Sequence, residues 1–210
     1  MRKRFIPGTV QKLIEENPEQ PLLDKVEREA TVLFLDIDHY TTMAAEMAPD
    51  VLNRLMETYF SSFLDIILSH GGEINETAGD GIMAIFTGKT AHVHARNAVK
   101  AAIAIRAKAR ALNRAREPQR PEIVVNIGIN TGHVLLGATM MRGAVGERLT
   151  YTASGMVTNL AARLCEFGAK GDIHLSDATA KFVSGHCMLQ GPLEVNLKHI
   201  AGVTLAYKVA

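Results

Sequence analysis

Two aspartates stand where a carboxylate is costly. Asp36 closes the apolar run Val32-Leu33-Phe34-Leu35-Asp36-Ile37, and Asp80 sits in the turn Thr77-Ala78-Gly79-Asp80-Gly81. A carboxylate at the end of a buried strand needs a cationic partner. Two of them brought together offer oxygen ligands for hard divalent cations, with room left for phosphate oxygens. Further on, Asn159 and Arg163 lie four residues apart in Thr158-Asn159-Leu160-Ala161-Ala162-Arg163. On a helix that spacing puts an amide and a guanidinium on one face. Metal-binding carboxylates with an Asn/Arg pair point to phosphoryl chemistry on a nucleoside triphosphate.

The elements that must position these groups follow from hydrophobic periodicity. Thr31–Ile37 reads as a buried strand, continuously apolar and partly β-branched. Pro49 opens a helix whose apolar face is Leu52, Leu55, Met56, Tyr59, Phe60, Phe63, Leu64 and Ile67, and Gly71-Gly72 ends it. Glu73–Thr77 and Ile82–Phe86 form a hairpin around Asp80. Ala91–Arg116 is a second long helix, stopped by Pro118 and Pro121. Ile123–Gly132 is a strand with a turn at Gly132, after which His133–Gly137 extends the sheet. Ala138–Leu149 reads as a protruding loop and Tyr151–Ser154 as a short strand. Gly155–Phe167 is the helix that carries Asn159 and Arg163. Ile173–Leu175 is a strand, Ser176 caps a helix over Asp177–Val183, and Leu193–Leu197 and Val203–Val209 are closing strands. The early order is strand, helix, strand, strand, helix, strand. That is the split βαβ, ferredoxin-like order: an α+β fold with a mixed or antiparallel sheet and helices packed on one face.

Bulk properties narrow the partners. The 210 residues are 47% hydrophobic, enough for one sizeable core. Lys plus Arg number 23 against 22 for Asp plus Glu, so no nucleic-acid surface is expected. Cys165 and Cys187 make neither a metal nor a disulfide signature, which fits a reducing cytoplasm. No apolar stretch reaches a membrane span, and no apolar region follows the basic first residues as in a signal peptide. Residues 1–28, broken by Pro7, Pro18 and Pro21, read as a lead-in with a short helix near Thr9–Glu16, and 29–210 as the catalytic domain. The lead-in is compatible with the end of a larger sensor.

The chain resembles the catalytic domain of the class III nucleotidyl cyclases, the adenylyl and guanylyl cyclases, from about Phe5 to Val209. The run ending at Asp36-Ile37 is similar to that family's first metal strand. Glu76-Thr77-Ala78-Gly79-Asp80 resembles its second metal hairpin. Tyr151-Thr152 through Gly155, Asn159 and Arg163 resembles its base-sensing strand and transition-state helix, and Leu197-Lys198 its phosphate-contacting segment. The resemblance implies attack of a ribose 3′-oxygen on the α-phosphorus of the same nucleotide, with pyrophosphate leaving, as a step in signal transduction. It implies two divalent cations, Mg²⁺ or Mn²⁺, on Asp36, Asp80 and the Ile37 carbonyl. Arg163 would meet developing phosphate charge, Asn159 would hold the ribose, and Lys198 would contact phosphate. It further implies a homodimer in which one subunit supplies Asp36 and Asp80 and the other supplies Glu76, Thr152, Asn159 and Arg163.

Base choice is read from Glu76 and Thr152. The family carries Lys at the first position in adenylyl cyclases and Glu in guanylyl cyclases. A carboxylate accepts from guanine N1–H and N2–H₂ but finds one donor group on adenine's Watson–Crick edge, so Glu76 favours GTP over ATP. The hydroxyl of Thr152 donates or accepts and discriminates little. Met156 replaces a frequent Asp, Val157-Thr158 reverses a frequent Thr-Val, and His199-Ile200 replaces a common Gly-Lys. A degenerate cyclase domain that binds nucleotide as a regulatory module is therefore the alternative. A diguanylate-cyclase reading fails, because Gly71-Gly72-Glu73 precedes the hairpin strand and is not at its tip. Asp38 reads as a solvated or capping residue, Cys165 as core, and His92 and His94 as lacking a metal partner.

Overall fold

The computed structural model describes residues 10, 15–16, 24–117 and 120–210. Most of the expected lead-in helix lies outside them, as do Pro7, Pro18, Pro21 and Pro118; Val10, Glu15 and Glu16 are helical. The order is β1 (Val26–Ile37), α1 (Tyr40–Glu46), α2 (Pro49–Ser69), β2 (Gly72–Ala78), β3 (Gly81–Phe86), α3 (Ala91–Arg114), β4 (Val125–Gly143) and β5 (Gly146–Ser154). Then come α4 (Met156–Phe167), β6 (Ile173–Ser176), α5 (Asp177–Val183), β7 (Leu189–Val195) and β8 (Thr204–Val209). Among the described residues no helix is long and apolar enough to cross a membrane.

The strands form one sheet in the order β2-β3-β1-β4-β6-β8-β7, with β5 paired to β4. The first four are antiparallel neighbours, as the ferredoxin-like order requires. Alternation along β1 sends Leu33, Leu35 and Ile37 to one face and Ala30 and Val32 to the other. Both faces are covered, which is why the β1 run is continuously apolar. The first face packs on α2 and α3, the two helices of the ferredoxin-like unit, through residues such as Phe63, Ile67, Ala98 and Ile105. Leu64, expected on the buried face of α2, is 39% exposed.

The later α4 covers the opposite face, with Ala161 and Val157 against Val32, Met83 and Val134. Thus the single helical face holds for the ferredoxin-like unit, and α4 adds a second layer. Two glycines let α4 approach. A Cβ at Gly128 would lie 2.2 Å from both the Ala161 oxygen and the Cys165 nitrogen, and one at Gly132 would lie 2.8 Å from a Val157 methyl. Asn130, between them, donates from Nδ2 to the Val157 carbonyl at 3.0 Å and accepts from the Ser176 hydroxyl at 2.6 Å.

Gly132 therefore corrects a sequence expectation. It marks close helix approach, not a turn. β4 runs through it as a 19-residue strand. The expected loop over 138–149 is instead a β-ribbon, with β4 and β5 paired from Leu135↔Ser154 to Gly143↔Gly146. The two-residue connection Ala144-Val145 closes its tip, and a connection so short and apolar carries no loop-length signal.

Candidate active site

Strand register brings the two aspartates together. Asp36 pairs with Gly81 across β1 and β3, one residue from Asp80. The turn between β2 and β3 is the dipeptide Gly79-Asp80, with Ala78 opposite Gly81 and Gly79 at φ +59°. A left-handed first position favours glycine. The Asp80 carboxyl is close enough to Asp36 to act on its protonation. Burial, Asp80 and, more weakly, Glu166 push the Asp36 pKa up to about 6, while the Ile37 amide N–H opposes them. Two acids sharing a half-buried site with no base among them is an arrangement that a hard cation relieves.

A β-bulge adds a third carboxylate. Ile74 pairs with Ala84 and Glu76 with Met83, the register shifting between them. Ala84 belongs to the α2/α3 face and Met83 to the α4 face. The bulge thus turns Glu76 onto the face of Asp36, where period-two alternation would have kept it with Ile74. Glu76, Asp36, Phe34, Met83, Cys165 and Glu166 are among the residues lining a cavity of about 460 Å³ between the sheet and α4. That volume is within the range of small-molecule sites.

Glu166 has no counterpart among the sequence candidates. Arg163 grips it with Nη1, at 2.5 and 2.6 Å to its two carboxylate oxygens. The signal was available in the i,i+3 spacing of Arg163 and Glu166. Within one chain, therefore, the guanidinium is held by a carboxylate that also faces Asp36. Cys165 is 4% exposed and its thiol donates to the Asn126 carbonyl at 3.2 Å. Burial pushes its pKa well up, so it serves packing, as the sequence indicates. Asp38 accepts from the Lys170 amide at 3.3 Å, in the turn between α4 and β6. His94 is buried with Nδ1 2.7 Å from the Thr31 hydroxyl.

The remaining candidates do not line this cavity. Thr152 faces Gly137 across β4 and β5, its hydroxyl donating to the Ala153 carbonyl at 3.4 Å. Asn159 is exposed on α4, and Lys198 is exposed beyond β7. Ile37 is buried and pairs with Val125. One chain thus brings Asp36 and Glu76 to this cavity with Asp80 acting on Asp36, and Thr152, Asn159 and Lys198 do not line it. Among the described residues no group of three or more His, Cys, Asp or Glu converges as a metal cluster. Two carboxylates are the donor set, which suits Mg²⁺-type ions that draw further ligands from substrate phosphates.

A sequence model of the adenylate and guanylate cyclase catalytic domain matches residues 24–205. Adenylate cyclase 1 of Rhizobium meliloti is 32% identical over 139 residues, 65% of this chain and 20% of that protein. The terminal-differentiation-specific adenylate cyclase of Dictyostelium discoideum is 30% identical over 162 residues, 76% of this chain and 7% of that protein. The chain thus corresponds to a fifth or less of these relatives' length. The adenylyl cyclase CyaB from P. aeruginosa superposes with a TM-score of 0.81 at 27% identity, covering 90% of this chain and 96% of that one. The guanylyl cyclase Cya2 does so with a TM-score of 0.80 at 25% identity, covering 89% and 94%. Sequence match and fold agree over nearly the whole described chain, and the chain belongs to the adenylate and guanylate cyclase catalytic-domain family.

Proposed function

We propose that this chain converts a purine nucleoside triphosphate to its 3′,5′-cyclic nucleotide and pyrophosphate, with GTP favoured over ATP. The observation that carries the reading is Asp36 lining a cavity of about 460 Å³, with Asp80 close enough to raise its pKa. Two divalent cations held by these carboxylates and the Ile37 carbonyl would neutralise the triphosphate and acidify the 3′-hydroxyl. Glu76 accepts from the guanine edge, beside Thr152. Asn159 orients the ribose so that its 3′-oxygen lies in line with the α-phosphorus. Arg163 sets a permanent cationic fork against charge that develops on the α-phosphate and leaving group. Lys198 contacts phosphate.

That Asn159, Thr152 and Lys198 do not line the Asp36 cavity supports a homodimer with shared sites. In that arrangement Asp36 and Asp80 of one copy work with Glu76, Thr152, Asn159 and Arg163 of the other. A sensor domain upstream and a cytoplasmic setting complete the proposal. The test is chromatographic product analysis after incubation with GTP or ATP and Mn²⁺ or Mg²⁺. Cyclic product from GTP in excess of that from ATP supports the reading. Nucleotide binding without any cyclic product favours the second reading, a regulatory module, which the Arg163–Glu166 pair specifically motivates.

A further inference from the structure

A second cavity, of about 350 Å³, lies at the C-terminal half of α3 on the other face of the sheet, and shares no lining residue with the Asp36 cavity. Its wall is cationic: Arg106, Arg110, Arg114, Arg116 and Lys170 line it, with Glu122 as the one carboxylate. Helix α3 carries six cations, Arg96, Lys100, Arg106, Lys108, Arg110 and Arg114, and no Asp or Glu. Arg106, Arg110 and Arg114 repeat at i, i+4 and i+8, the spacing at which like charges repel along a helix. A helix C-terminus favours one cation in its last turn, which accounts for Arg114 alone.

The negative groups nearby are already engaged. Glu122 pairs with Arg116 at 3.3 Å, and Asp172 pairs with Lys208 at 2.5 Å. Arg106 spends its Nη1 and Nη2 donors on the Val209 and Ala210 backbone oxygens, at 3.2 and 2.7 Å. Burial and Arg110 both disfavour its charge. Arg110 and Arg114 have no ion-pair partner among the described residues. Two free guanidinium forks therefore face a concave pocket in which positive charge is in excess.

We propose that this pocket binds a polyphosphate anion, either free or as the phosphate chain of a nucleotide. Guanidinium forks match phosphate oxygens in pairs, and a di- or triphosphate concentrates enough charge to meet several of them. The cavity is of small-ligand size, and the chain's balanced charge argues against an extended nucleic acid. Binding would relieve the repulsion along α3.

Isothermal titration calorimetry of the full 210-residue chain tests this, with tripolyphosphate, pyrophosphate, GTP and ATP as separate titrants. EDTA is present throughout, to remove the cations that would hold a triphosphate at Asp36 and Asp80. Saturable binding of tripolyphosphate is expected, weakening with added salt. Arg110→Gln/Arg114→Gln should weaken it about tenfold or more, since charge-assisted contacts are lost at two sites. Arg110→Lys/Arg114→Lys, which keeps charge and loses the fork, should weaken it less. Arg163→Ala should bind as the parent does. Equal loss of GTP and ATP binding in the Gln pair identifies the ligand as a nucleotide's phosphate chain; binding of the inorganic titrants alone identifies free polyphosphate. No saturable binding, binding unchanged in both double variants, or binding abolished by Arg163→Ala overturns the proposal. The last result would place the anion in the Asp36 site and leave the cyclase reading intact.

Discussion

Replacing Asp36 by Asn should stabilise the cation-free protein while it destroys turnover. The carboxyl pKa stands at about 6 against an ordinary 3.8, so the fold disfavours its ionised form. Each unit corresponds to about 1.4 kcal/mol, which sets an upper bound of roughly 3 kcal/mol. Asp36 is half-buried, and solvent screening reduces this to about 1–2 kcal/mol at neutral pH. For a chain of this size that is a rise in Tm of about 2–8 °C.

The pH dependence follows from the direction of the shift. Because the folded pKa is raised, the penalty is absent below the unfolded value of 3.8, grows between 3.8 and about 6, and is complete above about 6. The gain from Asp36→Asn should therefore be full at about pH 7.5 and fall to about a third of that at about pH 4.5. Thermal melts followed by circular dichroism in EDTA measure it. The same variant should lose cyclase turnover by orders of magnitude with Mg²⁺ or Mn²⁺. A lower Tm for Asp36→Asn at about pH 7.5 in EDTA, or a gain that does not shrink in acid, would refute the reasoning. Either would mean that the carboxylate already has a compensating partner.

Three further outcomes are expected. Asp36→Asn and Arg163→Ala proteins, each nearly inactive, should recover roughly a quarter of parental activity when mixed, because about half the dimers are mixed and each has one intact site; demonstrable subunit exchange without recovery would exclude a shared site. Glu76→Lys should lower kcat/KM for GTP more than for ATP, since it leaves guanine donors facing a donor; an equal change for both nucleotides would move base selection elsewhere. Gly128→Ala should destabilise the fold by at least about 2 kcal/mol in urea melts, because its Cβ meets backbone of α4 at 2.2 Å and backbone cannot rotate away; a neutral result would mean that α4 lies farther from β4.

Much of the core was legible in the sequence, because its elements announce themselves locally. The continuous β1 run, the apolar face of α2, the hairpin glycines around Asp80 and the Ser176 cap each depend on residues close in the chain. The cap is concrete: the Ser176 hydroxyl accepts from the Thr179 amide at 3.2 Å. Asp36 was legible as a candidate for the same reason, since a carboxylate at the end of an apolar strand is anomalous by itself.

What tertiary structure decided concerns faces and contacts between distant segments. A bulge set by β2–β3 pairing turned Glu76 toward Asp36, and no period-two pattern encodes that shift. Gly132 signalled a turn by its type, yet it makes room for Val157 of α4, a partner 25 positions away. The β4–β5 ribbon arose from cross-strand register that neither segment shows alone. Glu166 gained its meaning only when packing set α4 beside β1, joining Arg163 and Asp36 through one carboxylate. Local propensity and periodicity are properties of short windows, so the sequence determined which elements exist and which residues could do chemistry. Register, close approach and desolvation are properties of packed surfaces, so the tertiary structure alone decided which of those residues meet.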